Sequence, residues 1–457
     1  MVESHCMSPK KNIFAILLLS VLITGCTLSD LPLVGRFFDK GDTNGTDVPI
    51  VSDSGELDIT ERVNLEYWGM FEPVQVMEPL INEYMQKYPN VVINYTQRDY
   101  ENDLARYKRS LLTRLKEGSG PSIFRVHSTW VPEYYSEISQ NNSYTDLNEF
   151  DRRFYPVAKD QCVDVNGKVL CIPLMYDGLA LFYNVDMFNA EGLTEPRSWD
   201  EVREAAIKLT KKNGAVITRG GAALGTAGNV SNASDILGLM FAQSNVTIPD
   251  SFDTEAAASA LTFYVNFSTV HKVWDDSMPD SIVAFSTQKV AMIFARSWQV
   301  HDIFNLNPTL KFAVAPLPQL PNLEGSMTND TWASFWVETV SSDLTDAQQK
   351  AAWHFLDWLS QPKQQLALYS EASKYRRFGE IYSDVSLQNN LVSSLFVGPI
   401  IKDASFSTTS IITEDSGNDE YVVVMHEAIN AVMKGQDPLT VLKTAKLNFQ
   451  TLQNRGR

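Results

Sequence analysis

The chain of 457 residues carries 55 Asp plus Glu against 38 Lys plus Arg, a net charge of −17, and 44% of its residues are hydrophobic. That profile excludes a disordered chain and a protein of many membrane spans, and the length suffices for two or three domains with sizeable cores. It also excludes nucleic acid as a partner, because phosphate binding needs clustered Lys and Arg and the sequence holds no such cluster.

Lys10 and Lys11 precede an apolar run from Ile13 to Ile23, interrupted only by Ser20. The run is too short to span a bilayer and has the size of a signal-peptide core. It ends in Leu22-Ile23-Thr24-Gly25-Cys26, which resembles the bacterial lipobox. That resemblance implies removal of residues 1–25 as a lipoprotein signal peptide and lipidation of Cys26, so that acyl chains hold the protein on the membrane surface. Residues 26–61 then read as the lipidated Cys and a flexible tether rich in Gly, Asp, Ser and Thr. Within it Asp42, Asn44 and Asp47 fall short of a calcium loop, whose 12-residue pattern and closing Glu are missing.

Alternating elements follow. Val63–Trp68 reads as a strand, and Val76, Leu80, Ile81, Tyr84 and Tyr88 recur at helical spacing up to Pro89. Val91–Tyr95 is a second strand, Leu104, Tyr107, Leu111 and Leu115 mark a second helix, and Ser122–Val126 is a third strand. This alternation predicts an α/β fold with a parallel sheet covered by helices and ligands at the carboxyl ends of the strands. Ser198 with Glu201, and Thr345 with Gln348, fit the capping box that opens a helix. Cys162 and Cys171 bracket Asn166-Gly167, a strong hairpin signal, which predicts two strands and a disulfide between them; two buried free thiols are the alternative. No further Cys or His stands at ligand spacing, so no metal or other cofactor is expected.

A search for catalysis is mostly negative. His426-Glu427-Ala428-Ile429-Asn430 lacks the second His of a zinc protease and reads as helix surface. The glycines from Gly220 to Gly228 lack the Lys-Ser/Thr that cradles nucleotide phosphate, and no G-x-S-x-G elbow is present. Aromatic residues at strand ends and loops stand out instead: Trp68, Trp130, Tyr176, Trp298 and Trp332, several with polar neighbours. Each alone is more simply a core residue. Together they suit sugar rings, whose C–H faces stack on aromatics while hydroxyls pair with carboxylates such as Asp177.

Leu174 to Asn184, preceded by Pro173, resembles the signature of bacterial extracellular solute-binding proteins of the maltose-binding type. Pro196–Glu201, Phe285–Ile293 with Ser297-Trp298, and Ala352–Leu359 follow in that family's order, and the resemblance spans roughly residues 62–455. Departures include Met175, Ala190, Ser122 after Pro121, Gln288 for a common Gly, and Arg296 for a small residue. The resemblance implies a two-lobed periplasmic-binding-protein fold (type II), with a ligand cleft between lobes joined by three crossovers. By analogy residues 62–172 plus 336–385 form lobe one, and 173–335 plus 386–457 form lobe two. Such a receptor acts as a monomer on the outer face of the cell membrane and performs no chemistry on its ligand. It captures a solute, here a sugar, and delivers it to the membrane subunits of an ABC permease. The family positions facing the cleft correspond to Trp68 and Glu72, Thr129 and Trp130, Tyr176 and Asp177, Asn229, Trp298 and Trp332. Arg376 and Arg377 read as a surface pair, the alternative being that they reach an acidic ligand. The alternatives are a ligand-sensing surface lipoprotein without transport and a surface glycan hydrolase or lyase.

Overall fold

The computed structural model describes residues 57–98, 103–321 and 326–455; the signal segment and Cys26 lie outside these described residues. The chain opens with β1 (Val63–Gly69), α1 (Val74–Lys87), β2 (Val91–Gln97), α2 (Leu104–Lys116) and β3 (Ile123–His127). α1 forms because Val76, Met77, Leu80, Ile81 and Tyr84 bury one face at helical spacing. It ends before Pro89, since the residue preceding a proline is driven out of the helical region: Tyr88 takes φ −126° and ψ 75°. α2 starts where the Asp103 carboxylate accepts a 2.8 Å bond from the Arg106 N–H. Both predicted capping boxes form, at Ser198/Glu201 and Thr345/Gln348.

Later strands are β4 (Ala180–Asn184), β5 (Lys211–Asn213), β6 (Val216–Ala222), β7 (Val290–Ala295), β8 (Phe312–Ala315), β9 (Thr331–Trp332), β10 (Trp336–Val340) and β11 (Ser407–Thr408). The first sheet has the order β10-β3-β1-β2, with β1 parallel to both neighbours and β10 antiparallel to β3. The second has the order β5-β6-β7-β4-β8, in which β6 and β7 run parallel while β4 runs antiparallel to β7 and β8. Both sheets are therefore mixed, where alternation alone predicts parallel strands. β10 and β8 reach their antiparallel partners by long connections, and β5 pairs antiparallel with β6 across a tight turn, so none of them comes from the strand–helix–strand units that enforce parallel pairing.

The chain passes between the two sheets in three segments that lie side by side. Ile172 pairs with Glu338, Gly178 with Ala333, and Met175 with Tyr382, all antiparallel. Backbone bonds of 2.8–3.0 Å tie them, including Ile172 N to Glu338 O, Tyr176 N to Ile381 O and Ser334 N to Asp177 O.

Cys162 and Cys171 are disulfide-bonded, with Cα atoms 5.0 Å apart. The turn between them is tight: Asp164 accepts from the N–H groups of Asn166 and Lys168, and Gly167 takes φ +77°. Cys162, however, closes a helix, Pro156–Cys162, rather than a strand. Pro156 presets the first helical φ, and Val157, Ala158 and Cys162 bury one helical face. No helix of the described residues is long and apolar enough to cross a membrane.

Candidate functional site

A cavity of about 740 Å³ opens between the two sheets. Its floor is the crossing segments, through Met175, Asp177, Ser334, Trp336 and Ile381. One wall is Met70 and Phe71, where β1 ends; the other is Arg296, Ser297 and Trp298, where β7 ends. Backbone leaving the carboxyl end of a strand is free of the sheet ladder, so its side chains can turn into a crevice. Phe71 holds φ 67°, a left-handed conformation that costs a bulky residue about 1–2 kcal/mol. Phe71 is 41% exposed, and its ring stands edge-on to Trp336 with centroids 5.1 Å apart. Opposite it, Trp298 is 43% exposed just before the helix Gln299–Leu306.

The carboxylate of Asp177 is buried and accepts from the Gly178 N–H, the Ser297 N–H and the Ser297 hydroxyl, the last at 2.9 Å. Burial pushes its pKa up to about 6, against those hydrogen bonds and the charge of Arg296. Arg296 lies over the buried Asp235 at 2.7 Å, and the Trp332 indole N–H donates to the same carboxylate at 2.6 Å. On the first wall Arg376 is ion-paired with the buried Glu72. Burial first, then the nearby Glu380, pushes Glu72 up to about 7, while Arg376 and Arg125 oppose the rise. Arg125 sits opposite Glu338 in the β3–β10 register, bonds it at 2.8 Å, and reaches Glu380 at 3.3 Å. His301 faces the cavity with its ring 4.5 Å from Phe378, and burial together with Arg376 and Arg377 lowers its pKa to about 4, so it is neutral at pH 7. Among the described residues no cluster of His, Cys, Asp and Glu could hold a metal ion.

The family model of the bacterial extracellular solute-binding protein matches residues 72–366. The chain belongs to that family. A binding protein of Brucella abortus (strain 2308) is 21% identical over 403 residues, covering 86% of this chain and 92% of that one. A cyclo/maltodextrin-binding protein, solved with maltotetraose, superposes with a TM-score of 0.68 at 17% identity over 87% of this chain and 99% of its own. The cyclic alpha-maltosyl-1,6-maltose binding protein of Arthrobacter globiformis gives 0.65 at 17% identity, over 85% and 98%. At such identities the likeness concerns the fold, which is the two-lobed type II arrangement with its three crossing segments.

Of the residues aligned by resemblance with the family's cleft positions, Asp177 and Trp298 line the cavity. Glu72 stands behind the wall and holds Arg376, which does line it. Trp68 faces α2: the Arg98 guanidinium covers its ring at 3.7 Å, with Arg114 of α2 at 5.8 Å. Thr129 bonds His127 and Asn418, and Trp130, fully buried, donates its indole N–H to the Ser416 carbonyl. Tyr176 packs on Tyr155 beneath the floor. Trp332 fills a core space against Gly238, where an added Cβ would meet its ring at 2.5 Å. Asn229 staples a loop with every polar atom engaged, accepting from Thr226 and Trp274 and donating to the carbonyls of Asp275 and Met278.

Sequence reading missed Phe71, Trp336, Phe378 and Asp302, which line the cavity. Phe71 alone carried a positional signal, closely following β1; Trp336 opens β10, Asp302 lies inside the helix Gln299–Leu306, and Phe378 precedes a crossing. Arg376 and Arg377 are not a free surface pair: the first lines the cleft, and the second covers the Phe304 ring at 3.8 Å. Gln288, standing where the family pattern has Gly, takes φ 60°, the conformation glycine adopts without penalty.

Proposed function

We propose that this protein captures a carbohydrate in the cleft and delivers it to an ABC permease from the outer face of the bacterial membrane. One observation carries the reading. The open faces of Trp298 and Phe71 flank a floor whose buried carboxylate, Asp177, is already oriented by Ser297. Aromatic faces take the C–H side of a sugar ring, and a fixed carboxylate accepts its hydroxyl hydrogens at little reorganisation cost. The sugars bound by the solved relatives support the same class. In this reading residues 62–172 plus 336–385 and 173–335 plus 386–457 are the closing lobes, consistent with the two sheets drawing their strands from those segments. Cys26 carries the lipid anchor, and the receptor works as a monomer without cofactor.

A thermal-shift screen of the compact unit, residues 52–457, against sugars, amino acids, peptides and polyamines tests the ligand class. A bound solute adds RT ln(1 + [L]/Kd), about 2.7 kcal/mol at a hundredfold excess over Kd. A response confined to amino acids or peptides would keep the fold and overturn the carbohydrate. Loss of lipid labelling in Cys26→Ser tests the anchor, and ligand-dependent co-purification with a permease tests delivery.

A further inference from the structure

The charges of the cleft do not balance, and the imbalance has a direction. Two arginines line it, but each has its own carboxylate behind the wall: Arg296 rests on Asp235 and Arg376 on Glu72, both buried and neither facing the cavity. Glu380 also lines the cavity and shares Arg125 with the buried Glu338. What remains facing the cavity is acidic: Asp177, Asp302, Asp415 and Asp419. Asp302 and Asp419 make no hydrogen bond or ion pair among the described residues, and Asp415 reaches only Arg296, already shared with Asp235, at 3.8 Å. Beyond Trp298 the cleft continues into a second recess, where Asp280 and Glu414 join Asp302 and Asp415 and no Lys or Arg faces in. The aromatic faces of Phe71 and Trp298 stand beside these carboxylates. Carboxylates together with an aromatic face form an environment that attracts a cation.

A second feature bears on the rest of the ligand. Arg296 is 2% exposed and lines the cavity, yet its Nε has no hydrogen-bond partner. A buried donor of this kind calls for an acceptor from the ligand, and a hydroxyl oxygen supplies one. The solute thus needs both oxygen acceptors and a positive charge. An anionic sugar would meet Asp302 and Asp419, which have no cation, together with Asp177 and Asp415, whose one nearby cation, Arg296, is already held by Asp235.

We infer that the cleft takes a saccharide bearing a free amino group, held as its ammonium between the aromatic faces and the unpaired carboxylates. This rests on the carbohydrate reading and narrows it. Calorimetric titration of the mature chain compares matched probes: glucosamine with glucose, glucosamine di- and trisaccharides with cellobiose and cellotriose, galactosamine with galactose, and the N-acetylated form of each amine. The titrations are run at about pH 7.5, where Glu72 is mostly ionised and the amines are still in good part charged. At least one amine should bind about tenfold or more tightly than both its hydroxyl and its N-acetyl partner, with a preference that shrinks as salt rises. Asp302→Asn should reduce that preference severalfold while its unfolding midpoint stays in place, because the side chain has no partner to lose. Equal or tighter binding of the neutral partners throughout would overturn the inference and leave the carbohydrate reading standing. Binding of spermidine or putrescine with no saccharide bound would overturn both.

Discussion

The turns that follow β3 and β7 carry the same signal, a tryptophan directly after a hydroxyl residue at a strand end (Thr129-Trp130 and Ser297-Trp298), and use it in opposite ways. After β3, Trp130 is sealed in: its N–H is spent on the Ser416 carbonyl, and its ring packs on Tyr134 and Trp336. Beside it the carboxylates of Glu338, Glu380 and Glu72 are tied to the two guanidinium groups of Arg125 and Arg376. After β7, Trp298 is left open, Asp302 has no ion pair among the described residues, and Asp415 has only a distant share of Arg296. The first wall spends its polar and aromatic groups on stability, while the second keeps them for a ligand. An aromatic at a strand end becomes a platform only where nothing else in the fold claims its face.

Mutations should separate the two walls. Arg125→Met strands Glu338 and Glu380 in a buried site and should lower stability by roughly 3–5 kcal/mol in denaturant titrations. A loss under 1 kcal/mol would show the network to be dispensable. Trp130→Ala should lose a similar ~3–5 kcal/mol through the cavity it leaves. Trp298→Ala should reverse that pattern, with stability changed by less than about 1 kcal/mol and affinity for the bound solute reduced more than about tenfold. Unchanged affinity would remove Trp298 from the site.

The acidic groups give a pH test. Glu72 and Asp177 have folded pKa values of about 7 and about 6, above their ordinary 4.5 and 3.8. The folded state therefore binds these protons more tightly than the unfolded chain. Their stabilising contribution is fully present below the ordinary carboxylate range and is lost as pH rises through about 6 and 7. Stability should fall over that interval, and Glu72→Gln should flatten the fall; an unaltered slope would relocate the proton. The smallest effect is at Gln288, where Gln288→Gly should relieve the left-handed strain and raise stability by about 0.5–1 kcal/mol.

Much of this was legible in the residues. The strands and helices from Val63 to Val126 follow from period and punctuation, because local burial patterns and Pro89 act within a few residues. Both capping boxes and the tight turn at Asn166-Gly167 are likewise local. Motif order sufficed for the family because it needs no coordinates. The crossing segments, the antiparallel seating of β10 and the helical end at Cys162 depended on contacts between distant residues.

The site itself divided along the same line. Asp177 and Trp298 could be named from sequence, since each follows a strand or crossing and carries suitable chemistry. Which tryptophans were claimed by the core could not, because that depended on Ser416 lying over Trp130 and Asp235 under Trp332, 286 and 97 residues away in sequence. Nor could the surplus negative charge of the cleft be counted from composition. Sequence states how many charges exist; only the fold decides which of them meet a partner, since Coulomb attraction acts over ångströms in space and takes no account of separation along the chain.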